Sequence, residues 1–118
     1  MQNKSDFSKL NRLVCKVKMP PTHEYTIGDI VEYFEIDLSE GMLERAYTFI
    51  ATNDRKNITF TLEHGRTTFN GFKTKKKIDL LFVPSLDLAY PKGSYMVKPK
   101  YGAVSFLLKD VFELFFEI

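Results

Sequence analysis

Ile58-Thr59-Phe60-Thr61-Leu62-Glu63 alternates apolar and polar side chains without a break. A period of two is the signature of a strand with one face in a core and the other in water. Downstream, Lys75 to Val83 reads as a second strand, ended by Pro84. Between the two lies Phe69-Asn70-Gly71-Phe72, an Asn-Gly pair with aromatic flanks, which is the strongest short-range signal for a two-residue hairpin turn. Such a turn sets Phe69 opposite Phe72, Thr68 opposite Lys73, Thr67 opposite Thr74 and Arg66 opposite Lys75. One face of the arm then carries Phe69, Phe72, Thr67 and Thr74, and the other Arg66, Lys73, Lys75, His64 and Lys77. The same register puts Ile58, Phe60 and Leu62 on the face of Leu81 and Val83. The base of the hairpin is therefore expected in the core, with its tip projecting. Arg66 against Lys75 juxtaposes like charges with no acid near in sequence, so either a bulge shifts the register or the face awaits a polyanion.

Working outward, Leu10 to Lys18 reads as a first strand closed by Pro20-Pro21, which cannot donate to a ladder. Thr26 followed by Asp29 imitates a capping box, and Ile27, Ile30, Val31 and Phe34 have helical spacing, yet Ile30, Phe34, Ile36 and Leu38 also alternate. The expectation is a short helix or turn at Thr26 running into a strand near Tyr33. Arg45 to Thr52 is rich in Tyr, Thr, Phe and Ile and reads as a strand, with a turn over Asn53 to Asn57. Tyr90-Pro91-Lys92-Gly93 reads as a turn. Ser94 to Val97 and Ala103 to Phe112 then follow as the last strands, and Glu113 to Ile118 as a strand or helical tail. Many short strands with at most one short helix argue a small all-β barrel or sandwich.

A chain of 118 residues with 44% hydrophobic and 27% charged content is expected to form one globular domain over residues 1–118. Its longest uncharged apolar runs, such as Leu80 to Val83, fall far short of the ~20 residues that span a bilayer. The opening Met1-Gln2-Asn3-Lys4-Ser5-Asp6 has no apolar core of a secretory signal, so a cytoplasmic protein is expected. Cys15, the single cysteine, excludes an internal disulfide and reads as a small buried hydrophobe. His23 and His64 fit no metal-ligand spacing and read as a loop and a turn histidine. No Gly-rich phosphate loop, Gly-x-Ser-x-Gly elbow or His-Glu-x-x-His helix occurs, so neither a cofactor nor an enzyme is expected. Asp29, Glu32, Glu35 and Asp37 are the acids a metal nuclease would draw on, and a solvated acidic face explains them more simply.

The charges are sorted into blocks. From Glu24 to Glu44 every charged side chain is acidic, whereas from Gly65 to Ile78 (Arg66, Lys73, Lys75, Lys76, Lys77) and from Leu88 to Leu108 (Lys92, Lys98, Lys100) every one is basic. Phe69, Phe72, Tyr90, Tyr95 and Tyr101 stand among the cations. Cations that track a backbone, with aromatic faces between them for bases, are what a protein needs to hold single-stranded nucleic acid without reading it. The expected interface is thus Arg66, Phe69, Phe72, Lys73, Lys75, Lys77, Tyr90, Lys92, Tyr95, Lys98, Lys100 and Tyr101, with the acidic block facing away from the strand or serving self-association. Eleven Phe, four apolar residues of the ending among them or beside them (Phe112, Phe115, Phe116, Ile118), exceed what one small barrel buries alone, which predicts a homo-oligomer.

Leu10-Asn11-Arg12-Leu13-Val14-Cys15-Lys16-Val17 followed by prolines resembles the first strand of small single-stranded-DNA-binding proteins. Val104-Ser105-Phe106-Leu107-Leu108-Lys109-Asp110-Val111-Phe112-Glu113-Leu114 resembles their closing strand. In size and style the chain is similar to the compact single-stranded-DNA-binding proteins of phages that infect lactic-acid bacteria. The resemblance implies an OB-fold, a five-stranded Greek-key barrel that binds oligonucleotides across one face and its loops. It also implies a homo-oligomer, dimer or tetramer, and a role beside replication or recombination proteins. Two departures stand out: the chain has no tryptophan, leaving stacking to Phe and Tyr, and it ends Phe115-Phe116-Glu117-Ile118 where bacterial relatives carry an acidic tail that recruits partners. The rival readings are a protein-interaction module, such as a phage-encoded inhibitor docking on an acidic surface, and a structural virion protein.

Overall fold

The computed structural model describes residues 13–51, 53, 58–69 and 75–118, and the side chains of 65–69 and 75–78 are not among the described parts. Eight strands are described: β1 (Val14–Val17), β2 (Ile30–Ile36), β3 (Thr61–Phe69), β4 (Lys75–Val83), β5 (Leu88–Pro91), β6 (Ser94–Lys98), β7 (Ser105–Leu107) and β8 (Phe116–Glu117). Two α-helices join them among the described residues, α1 (Met42–Ile50) and α2 (Lys109–Phe115). The strands form a five-stranded sheet in the order β7-β6-β2-β1-β8 and a three-stranded sheet in the order β3-β4-β5. Every pairing is antiparallel, and the larger sheet curls into a half-barrel. The fold is small, all-β and OB-like.

Alternation builds the larger sheet. Cys15 and Val17 point into one core while Val14 and Lys16 face out. β6 differs, because Ser94, Tyr95, Met96 and Val97 are all buried. Met96 joins a core made with Ile36, the α1 residues Met42, Ala46 and Ile50, Phe60, and Leu81, Val83 and Tyr90 from the hairpin sheet. Tyr95 and Val97 join a second core on the opposite face, with Cys15, Val17, Tyr25, Val31, Tyr33, Phe112 and Phe116. Burial pushes the Cys15 thiol up to about 12, which keeps it protonated and inert.

Two expectations about elements are corrected. Where a strand was expected over Arg45 to Thr52, Arg45 to Ile50 form the body of α1 and Thr52 lies outside the described residues: Met42, Ala46 and Ile50 recur every four residues and are fully buried, so one helical stripe outweighs the β preference of Tyr47, Thr48 and Phe49. Residues 109–112 are likewise helical, since Leu108, Phe112 and Phe115 have helical spacing and the Phe112 N–H bonds Leu108 O at 2.9 Å. Among the described residues two short α-helices thus stand where at most one was expected. At Thr26 the expected short helix or turn is a turn, in which the Thr26 N–H meets Asp29 Oδ2 at 3.3 Å and the Asp29 N–H meets Thr26 O at 3.0 Å. The chain then enters β2 directly.

β4 spans the expected residues and stops at Pro84. Ile58 and Phe60 are buried as the alternation requires, but β3 begins only at Thr61. The Phe60 N–H donates to the Tyr47 hydroxyl at 2.8 Å, which removes it from any ladder. The two-residue turn is overturned as well. Arg66 stands opposite Ile78, Thr67 opposite Lys77, Thr68 opposite Lys76 and Phe69 opposite Lys75, with a slip between Glu63 and Arg66. The register of Thr61–Glu63 already excludes Arg66 opposite Lys75, the slip keeps Arg66 off Lys77, and no observed pair of the arm sets one cation against another. The connection runs over 70–74, so the tip, with Phe72 and Lys73, lies outside the described residues. Because β5 pairs only with Leu80–Val83 of β4, the part of the hairpin beyond Leu80 is a two-stranded arm.

Candidate nucleic-acid interface

The connection from β6 to β7 is held by side chains distant in sequence. The Asn53 amide, 7% exposed, donates from Nδ2 to Gly102 O at 3.1 Å and accepts the Val104 N–H at Oδ1 at 2.7 Å. Glu24 Oε2 accepts the Ala103 N–H at 3.0 Å, and Lys100 Nζ lies 3.3 Å from Asp29 Oδ1. Gly102 has φ +91°, and a Cβ placed there would stand 1.5 Å from Glu24 Oε2. A Gly102→Ala variant is therefore expected to lose roughly 1–3 kcal/mol of stability, from left-handed strain and from the displaced Glu24 bond. Urea unfolding measures it, and an unchanged midpoint would show that this loop is not held as described.

What the clamped loop displays is Tyr101, 82% exposed. Its ring stands between two adjoining grooves. The first, about 630 Å³, is lined by Ile30, Glu32, Asn53, Lys98, Lys100 and Tyr101 among others; the second, about 580 Å³, by His23, Glu24, Thr26, Asp29, Lys100 and Tyr101. The first groove continues onto an uncovered part of the sheet. Pairing of Val14 with Glu32, Lys16 with Ile30 and Glu32 with Lys98 puts these five residues on one face, where Val14, Lys16 and Ile30 are exposed. Lys98 Nζ sits 4.6 Å from the centroid of the Phe49 ring, which fixes its position over that face.

Of the residues expected from sequence, the fold brings together Lys98, Lys100 and Tyr101. Tyr90 and Tyr95 are corrected to core residues. Tyr90 is 7% exposed and stacks on Phe106 (5.4 Å between centroids), while Tyr95 is 9% exposed and stacks on Phe112 at 4.0 Å. Neither ring has a face left for a base. Lys92 lies in the turn before β6, at the end of that strand opposite to Lys98. Arg66, Phe69, Lys75 and Lys77 lie on the two-stranded arm. The acidic block does not face away: Glu24, Asp29 and Glu32 line the Tyr101 grooves. Sequence reasoning missed Lys16, whose outward position the β1 alternation implies, and Asn53, whose partners 49 and 51 residues on leave no local trace.

An exposed aromatic face with lysines beside it can stack a base and pair with phosphate. The acids that a metal nuclease would draw on do not converge. Glu32 and Glu35 lie on opposite faces of β2, Asp29 is engaged with Lys100, and Asp37 with Ser39 and Arg45. Among the described residues no three metal-binding side chains gather, and no helix is long and apolar enough to cross a membrane. Comparison with family models, with curated proteins and with solved structures returns no significant match.

Proposed function

We propose that this chain binds single-stranded DNA without catalysis and with little sequence preference, in replication or recombination. The observation that carries this reading is Tyr101, 82% exposed on a loop pinned by Asn53, Glu24 and Asp29, lining one groove with Lys98 and Lys100. A protein gains nothing in stability from holding a tyrosine ring in water on a clamped loop. It gains a stacking platform whose ordering cost is already met. Lys16 and Lys98 on the open sheet face meet phosphates on one side of the platform, and the arm with Arg66, Lys75 and Lys77 offers the strand further cations. Glu32 opposite Lys98, and Asp29 beside Lys100, temper the attraction and favour a modest affinity.

Fluorescence anisotropy with single-stranded, double-stranded and RNA oligonucleotides over a salt series tests it. Binding of the single strand with affinity falling steeply as salt rises supports the reading, and no binding of any oligonucleotide sinks it in favour of a protein-docking module. Tyr101→Ala is expected to lose about 1–3 kcal/mol of binding with the melting temperature unmoved, because the ring is in water already. A variant that melts early would mark Tyr101 as structural.

A homo-oligomer, dimer or tetramer, belongs to the same proposal, though its ground changes. Phe112 and Phe116, 1% and 2% exposed, are buried within one chain. The apolar surplus is Leu108, Val111, Leu114 and Ile118, the last two 58% and 73% exposed. Light scattering is expected to give more than one chain per particle at micromolar concentration, and Leu114→Glu to reduce it to one. A wild-type monomer contradicts this.

A further inference from the structure

The second groove beside Tyr101 is a poor seat for phosphate, because it sets the carboxylates of Glu24 and Asp29 against the one ammonium of Lys100. Both carboxylates are oriented by backbone donors, Glu24 by the Ala103 N–H and Asp29 by the Thr26 N–H, and each keeps further acceptor capacity. Lys100 Nζ lies 3.3 Å from Asp29 Oδ1, so a donor and an acceptor stand side by side at the groove wall. At about 580 Å³ the groove falls within the ~300–1,000 Å³ typical of ligand clefts.

We infer that this groove takes one guanine of the bound single strand, stacked on Tyr101, with its Watson–Crick edge read by the Lys100–Asp29 pair and Glu24. The inference rests on the single-strand reading and adds one preferred base to an otherwise tolerant grip. Guanine offers the acceptor O6 beside the donors N1–H and N2–H₂, which matches an ammonium beside a carboxylate. Thymine would turn O2 and O4 towards the carboxylates. Adenine and cytosine each set a single donor group next to a ring nitrogen that a carboxylate repels. The exposed face of Tyr101 supplies stacking that is indifferent to base identity, so discrimination falls to the edge.

The test compares a thymidine oligonucleotide with the same strand carrying one central guanine, which is too few to form a quadruplex, and with inosine in its place. The wild-type chain is expected to bind the guanine strand about tenfold more tightly than the all-thymidine strand, a discrimination in the range of one bidentate base contact. Inosine, lacking the N2 amine, should lose most of that gain. Asp29→Asn and, separately, Glu24→Gln, which retains an acceptor for the Ala103 N–H, should each narrow the guanine-to-thymine ratio, with melting curves confirming the fold. Equal binding of the guanine and thymidine strands, or a ratio that survives both variants, overturns the inference and leaves single-strand binding standing. Failure to bind any strand overturns the single-strand reading, and the inference with it.

Discussion

Phe112→Ala is expected to destabilise the protein by about 3–5 kcal/mol, the range for removing a fully buried aromatic ring. Phe112 is 1% exposed, and its ring stacks on Tyr95 at 4.0 Å and on Phe116 at 5.4 Å and meets Tyr33 at 5.6 Å. Those three contacts tie α2 to β2, β6 and β8, so the cavity would open where four elements meet and none can close it alone. Tyr25, on the far side of Phe116, shares a hydrogen bond between its hydroxyl and Ser105 Oγ at 2.8 Å, which resists collapse of the wall. Urea unfolding monitored by circular dichroism reads the loss, and a cost below about 1 kcal/mol would show that the second core is not packed around this ring. At a temperature where the variant is folded, its oligonucleotide affinity should stay within about twofold of wild type, because the ring lies on the face of the sheet away from Lys16 and Lys98.

How legible this fold was depends on how local the deciding physics is. Pro84 ends β4 by its own chemistry, and the alternation of Ile58, Phe60 and Leu62 needs only one buried face, so both were readable from the chain. The helix at Met42–Ile50 was hidden because its β-favouring residues, Tyr47, Thr48 and Phe49, are outvoted by three side chains that only tertiary packing, against Ile36, Met96 and the hairpin sheet, buries. The Asn-Gly signal misled for a related reason. A local turn preference yields to a register set at the base of the hairpin, where Leu62 meets Leu81 and not Asp79, and the slip beside Gly65 adds one further step, so Arg66 meets Ile78. Among the aromatic residues, Tyr101 and Tyr95 look alike in sequence, each with a lysine within three positions. β6 is buried on both faces, which alternation along one strand does not reveal, and so Tyr95 belongs to the core while Tyr101, past its end, does not. The clamp on Tyr101 was the least legible part, as Glu24 and Asp29 reach it across separations of 79 and 71 residues.

Replacing Lys73, Lys75 and Lys77 together by glutamate is expected to abolish measurable single-strand binding at physiological salt while leaving circular dichroism unchanged. The substitution moves the formal net charge by −2 at each of three positions, from +2 to −4, and turns a long-range attraction for polyanions into repulsion. Lys75 and Lys77 lie beyond Leu80, where β5 no longer pairs with β4, and Lys73 falls outside the described residues, so the described cores rest on none of the three. The salt dependence separates contact from mere field. If each lysine neutralises one phosphate, the slope of log affinity against log salt, measured at low salt where residual binding persists, should fall in magnitude by about 2, at roughly 0.7 per phosphate for a single strand. An affinity lowered with the slope unchanged would make the arm a source of steering alone, with the strand held at Lys16, Lys98, Lys100 and Tyr101. Unchanged affinity would remove the arm from the interface altogether. The Tyr101 loop would survive that result, because its lysines sit on the half-barrel sheet and the arm belongs to the other one, and Tyr101→Ala would then carry the whole test of stacking.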